Sequence, residues 1–252
     1  ANNLNAISFG FFANGPLIEY ATFREYQHKY DFEKVVWFFT IDNDFFDFSK
    51  EIQDQTLNTY LKDKNYTQNL VDRDDDKNQL IKNVYFDYES RNIKEKIKHY
   101  HLDIKYIRQS ISKFIDSFKY EDNQNIFRTN EMNYYEDYVS EIGSILIDLN
   151  NQLKIDKKSF LVVFHAIHPT YKYHNNKILK NHYDKMNIGV NKLIEVLELN
   201  NINFYNFNDY VYDNYNKNNI DQVFKKVDMG YDHYSINGNK ILSEKVLEII
   251  GK

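Results

Sequence analysis

Short apolar runs alternate with longer amphipathic stretches along this chain. Three runs, Val35–Phe39, Phe160–Phe164 and Ile202–Phe207, are continuous but too short to be helices. Such runs are typical of strands that are buried on both faces of a parallel sheet. A fourth run, Leu4–Phe9, ends at Gly10 and predicts a strand that enters a turn. We therefore expect four parallel strands.

Apolar residues spaced three and four apart predict helices between and after these strands. Pro16 precedes the first such stretch, Leu17–Tyr30, and proline is favoured in the first turn of a helix. Further helices are expected at Lys50–Lys62, Gln68–Lys82, Arg91–Lys119, Glu131–Leu153, Asn181–Leu199 and Asn237–Ile250. The alternation predicts an α/β fold, a three-layer sandwich around a mostly parallel sheet. We expect one domain over residues 1–252, with a large and mainly helical insertion at 45–158.

The composition narrows the classes of function. The 252 residues include 32 basic and 37 acidic side chains, so no basic excess exists to displace counterions from nucleic-acid phosphates. Because cysteine is absent, disulfides and thiolate metal sites are excluded. No apolar run approaches the roughly 20 residues that span a bilayer, and no charged and apolar leader opens the chain. We expect no nucleic-acid partner, no membrane span, and any signal or anchor upstream of Ala1.

A turn between the first predicted strand and the first predicted helix reads Ala13-Asn14-Gly15-Pro16-Leu17. The segment Phe9–Tyr20 resembles the second conserved block of SGNH (GDSL-type) hydrolases, a superfamily of serine esterases and acyltransferases. In that family the turn supplies a backbone N–H to an oxyanion hole. The resemblance implies that Ala13 and Gly15 are the donors here, although Ala13 stands where the family usually has glycine.

The second predicted strand, Val35–Phe39, is followed by Thr40-Ile41-Asp42-Asn43-Asp44. By itself, Asn-Asp after a strand is an ordinary turn. The segment is similar to the third block of the same family, a strand that ends in Gly-Asn-Asp, and Asp42 replaces the glycine. The resemblance implies that the side-chain amide of Asn43 is the other oxyanion donor.

The segment Asp228–Asn239 contains His233 and runs into the start of the last predicted helix. This stretch resembles the final block of the family, where Asp-x-x-His supplies acid and base. His233 matches the base, but the position three before it is Gly230. Asp228 and Asp232 are the alternatives for the acid, and a Ser–His pair without an acid is the third possibility.

The family's nucleophile belongs to a Gly-Asp-Ser motif after a strand that precedes the segment resembling the second block. Only eight residues precede Phe9, and none of them forms that motif. Ser8 ends a predicted strand where the family has no catalytic residue. The resemblance therefore implies that the nucleophile lies before Ala1, and we expect residues 1–252 to be inactive alone.

His165 and His168 follow the strand Phe160–Phe164, at an edge where open α/β sheets bind ligands. Two histidines at this spacing could bind a metal, but no third ligand is close in sequence. We expect His168 to line a substrate pocket, and we expect neither a metal nor a cofactor.

The three blocks together imply acyl transfer, in which a serine attacks an ester carbonyl and His233 accepts its proton. Relatives with the Gly-Pro-Leu and Asn-Asp pattern often act on acylated glycans. The resemblance therefore implies an extracytoplasmic carbohydrate esterase or O-acyltransferase. The alternative is a non-catalytic binding or scaffold domain that retains the fold.

Overall fold

The computed structural model describes residues 6–10, 14–41, 43–73, 75, 78–79, 134–167, 177–216, 218–225 and 233–251. The chain divides into two compact units. The first consists of residues 1–67 and 129–252, and the second of residues 68–128. The sheet and the helices around it belong to the first unit.

The first unit has helices before, between and after three strands. Its elements in chain order are α1 (Pro16–Tyr26), a 3-10 turn (Gln27–Lys29), β1 (Lys34–Phe39), α2 (Asp44–Glu51), α3 (Gln55–Lys62), α4 (Tyr134–Asp137), α5 (Val139–Ile155), β2 (Ser159–Phe164), α6 (Lys177–Leu199), β3 (Asn203–Asn206), α7 (Phe207–Asn214), a second 3-10 turn (Ile220–Gln222) and α8 (Ile236–Ile250). None of the helices in the described part of the chain combines the length and the apolar composition needed to cross a bilayer.

The three strands form one all-parallel sheet in the order β1-β2-β3. Lys34 lies opposite Ser159 at one end of the first pair, and Phe39 lies opposite Phe164 at the other. The strands are rich in valine and aromatic residues, which fit a buried pleated surface. The prediction of an α/β fold with a parallel sheet is confirmed at this level.

The strand predicted at Leu4–Phe9 is wrong over the part that the structure describes, because Ala6–Phe9 pair with no other strand there. Instead, the ring of Phe9 packs against α1 and the turn after it. Its centroid lies 6.3 Å from that of Phe23, 6.4 Å from that of Tyr26 and 5.8 Å from that of Tyr30. Side-chain packing, rather than a strand ladder, holds this segment.

Two predicted boundaries also differ from the structure. The expected helix Lys50–Lys62 is broken, because Asp54 accepts a hydrogen bond from Leu57 N–H and starts α3 anew. The third strand ends early because the Asn206 side chain caps α7, a helix that was not predicted. In the helix predicted at Gln68–Lys82, Gln68–Arg73 form loop and turn, whereas Asp75, Asn78 and Gln79 are helical. The helix predicted at Arg91–Lys119 lies outside the described residues.

Alternate residues of the strands join two separate apolar cores. Trp37, Phe39 and Val162 belong to the larger core, which also contains buried residues of α1, α2, α3, α5 and α6. Leu161 and Val163 belong to the smaller core, with α7 and α8. Helices therefore cover both faces of the sheet.

The turns that lead into β2 and β3 are built alike. In the first, Lys157 takes a left-handed φ of 58° and the next N–H donates to the Leu153 carbonyl over 2.8 Å. In the second, Asn201 takes a φ of 52° and the next N–H donates to the Leu197 carbonyl over 2.9 Å. Both follow the Schellman pattern that ends a helix and redirects the chain.

Candidate functional site

The turn after β1 carries Asn43, one predicted oxyanion donor. The N–H groups of Asn43 and Asp44 donate to the Thr40 carbonyl over 3.1 and 2.8 Å. In return, the buried Asp44 carboxylate accepts from Thr40 N–H over 2.9 Å. These bonds tie the end of β1 to the start of α2, and they leave the Asn43 side chain exposed.

The loop after β2 is held by side chains from two distant segments. The backbone N–H of His165 extends the ladder with β1 over 2.8 Å. The next N–H, of Ala166, donates to the Tyr234 hydroxyl over 2.7 Å. The N–H of Ile167 then donates to the buried Asn208 amide oxygen over 2.9 Å. The two backbone donors that follow His165 are therefore satisfied by neutral side chains.

The segment that carries His233 is fixed to the chain after the second 3-10 turn. Lys225 N–H donates to the His233 carbonyl over 2.9 Å, and Ser235 N–H donates to the Val223 carbonyl over 2.8 Å. The side chain of Tyr234, between them, reaches the loop after β2. This contact sets the predicted base segment beside the carboxyl end of β2, and the His233 side chain itself is exposed.

Two residues of the predicted last block have structural roles. The Ser235 hydroxyl accepts from Gly238 N–H over 2.9 Å and so caps the start of α8. A Cβ on Gly238 would lie 2.0 Å from the Val223 carbonyl oxygen, so only glycine allows α8 to approach so closely. The Ser-x-x-Gly spacing therefore fixes where α8 begins.

The backbone N–H groups of the predicted oxyanion turn are bonded to a carboxylate of the same chain. The N–H groups of Gly15 and Leu17 donate to the buried Glu51 carboxylate over 2.6 and 2.9 Å. A Cβ on Gly15 would lie 2.8 Å from that carboxylate and 2.8 Å from the Asp47 Cβ. The φ of Gly15 is −102°, so close packing rather than the backbone angle requires glycine here. Glu51 is thus an anion bound at the N-terminus of α1.

Burial shifts the ionisation of two carboxyl groups on this side. It raises the pKa of Glu51, and the N–H donors Gly15 and Leu17 oppose that shift. Burial, helped by the charge of Glu51, raises the pKa of Glu19 to about 7. Near neutral pH the Glu19 carboxyl is therefore partly protonated.

On the β2 side, the ring of His165 stands among aromatic rings. Its centroid lies 5.5 Å from that of Phe38 and 5.3 Å from that of Tyr234. Burial lowers the pKa of His165 to about 4, so the ring is neutral at pH 7. A neutral imidazole can donate from one nitrogen and accept at the other.

The predicted site residues that the structure describes do not form one bonded cluster. Among these described residues, no hydrogen bond joins Asn43, His233 and Gly15 to one another. Asn43 and the His233 segment lie at the carboxyl ends of neighbouring strands, whereas Gly15 lies at the start of α1. Ala13, His168, Asp228 and Asp232 lie outside the described residues.

Sequence reasoning missed Glu51, Glu19 and Tyr234. Glu51 is 36 residues from Gly15 and sits in an ordinary amphipathic helix, so nothing local indicates its role. Tyr234 stands next to His233 within Asp228–Asn239, but no local pattern indicates that its hydroxyl holds a loop 68 residues away.

Within the part of the chain that the structure describes, no three histidine, aspartate or glutamate side chains are arranged to hold a metal ion. No family model matches the chain, and no curated protein or solved structure is significantly similar to it.

Proposed function

We propose that this chain is an SGNH-type domain, a three-layer sandwich that serves serine acyl transfer on esters of acylated carbohydrates, outside the cytoplasm. The observation that carries the proposal is the common location of Asn43 and the His233 segment. One follows β1, and the other is bonded through Tyr234 to the loop that follows β2. Open α/β sheets bind their ligands at this carboxyl edge.

In this proposal His233 takes the proton of a serine nucleophile, and the Asn43 amide donates to the oxyanion. Both side chains are exposed and therefore accessible to a substrate. An oxyanion donor of this kind is worth about 100- to 1000-fold in rate. Asp228 or Asp232 orients the imidazole, and His168 lines the pocket.

The test is hydrolysis of p-nitrophenyl acetate and of an acetylated xylo-oligosaccharide. Residues 1–252 alone should give no turnover, because the chain carries no serine in the family's nucleophile position. The same residues preceded by the gene's upstream sequence, if that sequence contains Gly-Asp-Ser, should hydrolyse both esters. His233→Ala and Asn43→Ala should each reduce kcat by about 100-fold or more.

An exposed polar residue on α8 provides the matched control. Asn239→Ala, on α8, should leave kcat unchanged. Turnover by residues 1–252 that is lost on Ser8→Ala would refute the placement of the nucleophile. If neither His233→Ala nor Asn43→Ala changes the kcat of the extended chain, the roles given to these residues are refuted.

One observation favours a second candidate, a non-catalytic domain that binds acylated glycans. The N–H of Gly15 is already bonded to Glu51, and a carboxylate beside that donor would repel a developing oxyanion. Under this alternative the extended chain binds the acetylated oligosaccharide in calorimetry but does not hydrolyse it. Turnover by the extended chain would exclude it.

A further inference from the structure

A glycine inside α6 lets the backbone of α4 approach closely. A Cβ on Gly189 would lie 2.3 Å from the Tyr135 carbonyl oxygen, a distance that no side chain could tolerate. Glycine is unfavourable inside a helix, so its presence there needs a packing reason, and the close approach of α4 supplies one. Gly189 therefore fixes the position of α4, the first described helix after the chain returns to the first unit.

The side chain of Tyr135 is completely buried and makes a second contact with α6. Its hydroxyl lies 3.1 Å from Nε2 of the buried His182. Burial, helped by the charge of Lys185, lowers the pKa of His182, so the neutral ring can accept the proton of the hydroxyl. The Tyr135 residue is therefore held by α6 at its backbone and at the far end of its side chain.

The same tyrosine ring packs against the first turn of α2. The centroid of the Tyr135 ring lies 5.6 Å from that of Phe45, edge to face, and Phe45 is also completely buried. The Phe45 ring in turn contacts Phe39 at the end of β1, with 5.1 Å between the two centroids. Asn43 lies two residues before Phe45, in the turn that joins β1 to α2. The turn that carries Asn43 is therefore packed on Phe45, and Phe45 is packed on Tyr135.

We propose that Tyr135 is a positioning residue for Asn43 and acts through its contact with Phe45. This role rests on the proposed function, in which the Asn43 amide is the oxyanion donor. Such a donor must be held within about 0.5 Å of its productive position, and residues packed behind it supply that restraint. The hydrogen bonds between Thr40 and Asp44 hold the turn together internally, whereas the Tyr135 ring fixes the turn relative to α6.

The experiment measures amide hydrogen exchange in the 252-residue chain, so it does not require turnover. The reporters are the N–H groups of Thr40 and Asp44, which bond across the turn. The references are the N–H groups of Ala166 and Ile167 on the β2 side. Tyr135→Leu removes the aromatic pair and should accelerate exchange of the reporters about fivefold more than that of the references. Tyr135→Phe keeps the ring and should restore the reporter rates to within about twofold of the parent.

A second substitution displaces the tyrosine ring without changing it. Gly189→Ala sets a Cβ against the Tyr135 carbonyl and should also accelerate the reporters selectively. Gly143→Ala is the matched control, because it makes the same change inside α5, where the new Cβ would lie 2.9 Å from the Val196 side chain instead. This control should leave the ratio of reporter to reference rates unchanged.

A double substitution tests the route through Phe45. Tyr135→Leu combined with Phe45→Leu should exchange the reporter amides no faster than Phe45→Leu alone, because the second ring has then lost the partner through which it acts. If the two substitutions accelerate exchange independently, Tyr135 does not act through Phe45 and the proposal is overturned.

Three further results would overturn the proposal. Reporter rates that do not change in Tyr135→Leu or in Gly189→Ala show that the turn does not depend on the ring. Equal acceleration of reporters and references, or equal effects of Gly189→Ala and Gly143→Ala, shows a general loss of stability. An effect of Tyr135→Phe as large as that of Tyr135→Leu assigns the role to the hydroxyl. Selective acceleration in a protein whose extended form hydrolyses no ester supports the positioning of the turn and counts against the proposed function alone.

Discussion

The two sides of the candidate site satisfy their backbone donors in different ways. At the start of α1, the N–H groups of Gly15 and Leu17 are bonded to the charged Glu51 carboxylate. After β2, the N–H groups of Ala166 and Ile167 are bonded to the neutral Tyr234 hydroxyl and the Asn208 amide oxygen, beside a neutral His165. The α1 side therefore depends on charge, and the β2 side depends on packing around uncharged polar groups.

The difference matters for function as well as for stability. N–H groups that already donate to an internal anion cannot donate to a developing oxyanion unless that anion moves away. The β2 side carries no such competitor among the described residues, and its polar groups serve to hold the His233 segment in place. The N–H groups after His165 are therefore held by neutral side chains, whereas those at the start of α1 are occupied by a carboxylate.

Removing the anion on the α1 side should have the largest effect. Glu51→Ala leaves two buried N–H groups unpaired, and each such group costs about 1–3 kcal/mol. Relief of the buried charge offsets part of that cost, so we expect a loss of about 3 kcal/mol in the free energy of unfolding at pH 7. Urea denaturation measures it.

The matched variant is Glu51→Gln, which keeps one acceptor oxygen and should lose about half as much. Lys50→Ala, an exposed change on the same helix, is the control and should have little effect. Equal stability of Glu51→Ala and the parent would mean that α1 does not rely on this carboxylate.

The second effect is a pH dependence that belongs to the α1 side. The pKa of Glu19 rises from 4.5 to about 7 on folding, so the folded state holds the proton more tightly. Stability is therefore complete below about pH 4.5 and falls as the pH rises to about 7. Glu19→Gln should remove the part of this fall that Glu19 causes, a gain of about 2 kcal/mol at pH 8 after allowance for partial exposure, and should leave the smaller part that comes from Glu51. Unfolding of both proteins from pH 4 to pH 8 measures it.

On the β2 side, the lowered pKa of His165 predicts that the free energy of unfolding rises with pH, the opposite of the effect of Glu19. Because burial lowers the pKa of His165 to about 4, its contribution is present above pH 6.5 and is lost as the pH falls towards 4. Glu19→Gln should leave this acid-side loss in place. Glu33→Gln changes an exposed carboxyl and should alter neither slope. A Glu19→Gln profile parallel to the parent's would contradict the placement of the raised pKa.

The smallest effect concerns the hydroxyl that holds the β2 side. Tyr234→Phe keeps the ring among its aromatic neighbours but leaves Ala166 N–H without its acceptor. We expect a loss of about 1 kcal/mol, the usual net value of a neutral hydrogen bond. Tyr212→Phe is the control, because that hydroxyl reaches the same loop over a longer 3.3 Å. If the control costs more than Tyr234→Phe, the Ala166 bond is not what fixes this segment.

The sequence predicted those parts of the fold that follow from local periodicity. The strand cores at Val35–Phe39 and Phe160–Phe164 and the helix that ends at Leu199 agree with the structure, because apolar spacing determines them. The run Leu4–Phe9 has equally good strand spacing, but no described strand pairs with it. Pairing is a long-range property, and a single run of residues carries no information about its neighbour.

The same limit applies to the site. Asn43 is singled out only by the resemblance of the segment Val35–Asp44 to a conserved block, because an Asn-Asp turn after a strand is ordinary by itself. The bond between Gly15 and Glu51 joins residues 36 apart, and the bond between Tyr234 and Ala166 joins residues 68 apart. Only the folded chain brings such residues together, so motif reasoning names candidates and misses the groups that hold them or compete with them.

The twin helix-ending turns before β2 and β3 limit where this chain can change length during evolution. Lys157 and Asn201 each redirect the backbone within a few residues. The position where the helix ends therefore decides which residues of the following strand face which side of the sheet. Since strand side chains alternate with period two, one inserted residue there would exchange the faces that Phe204 and Tyr205 present. Loops at the opposite edge follow the strands, so a residue inserted there leaves the alternation of the preceding strand unchanged. Insertions and deletions that survive in descendants of this gene should therefore accumulate at the edge where the candidate site lies.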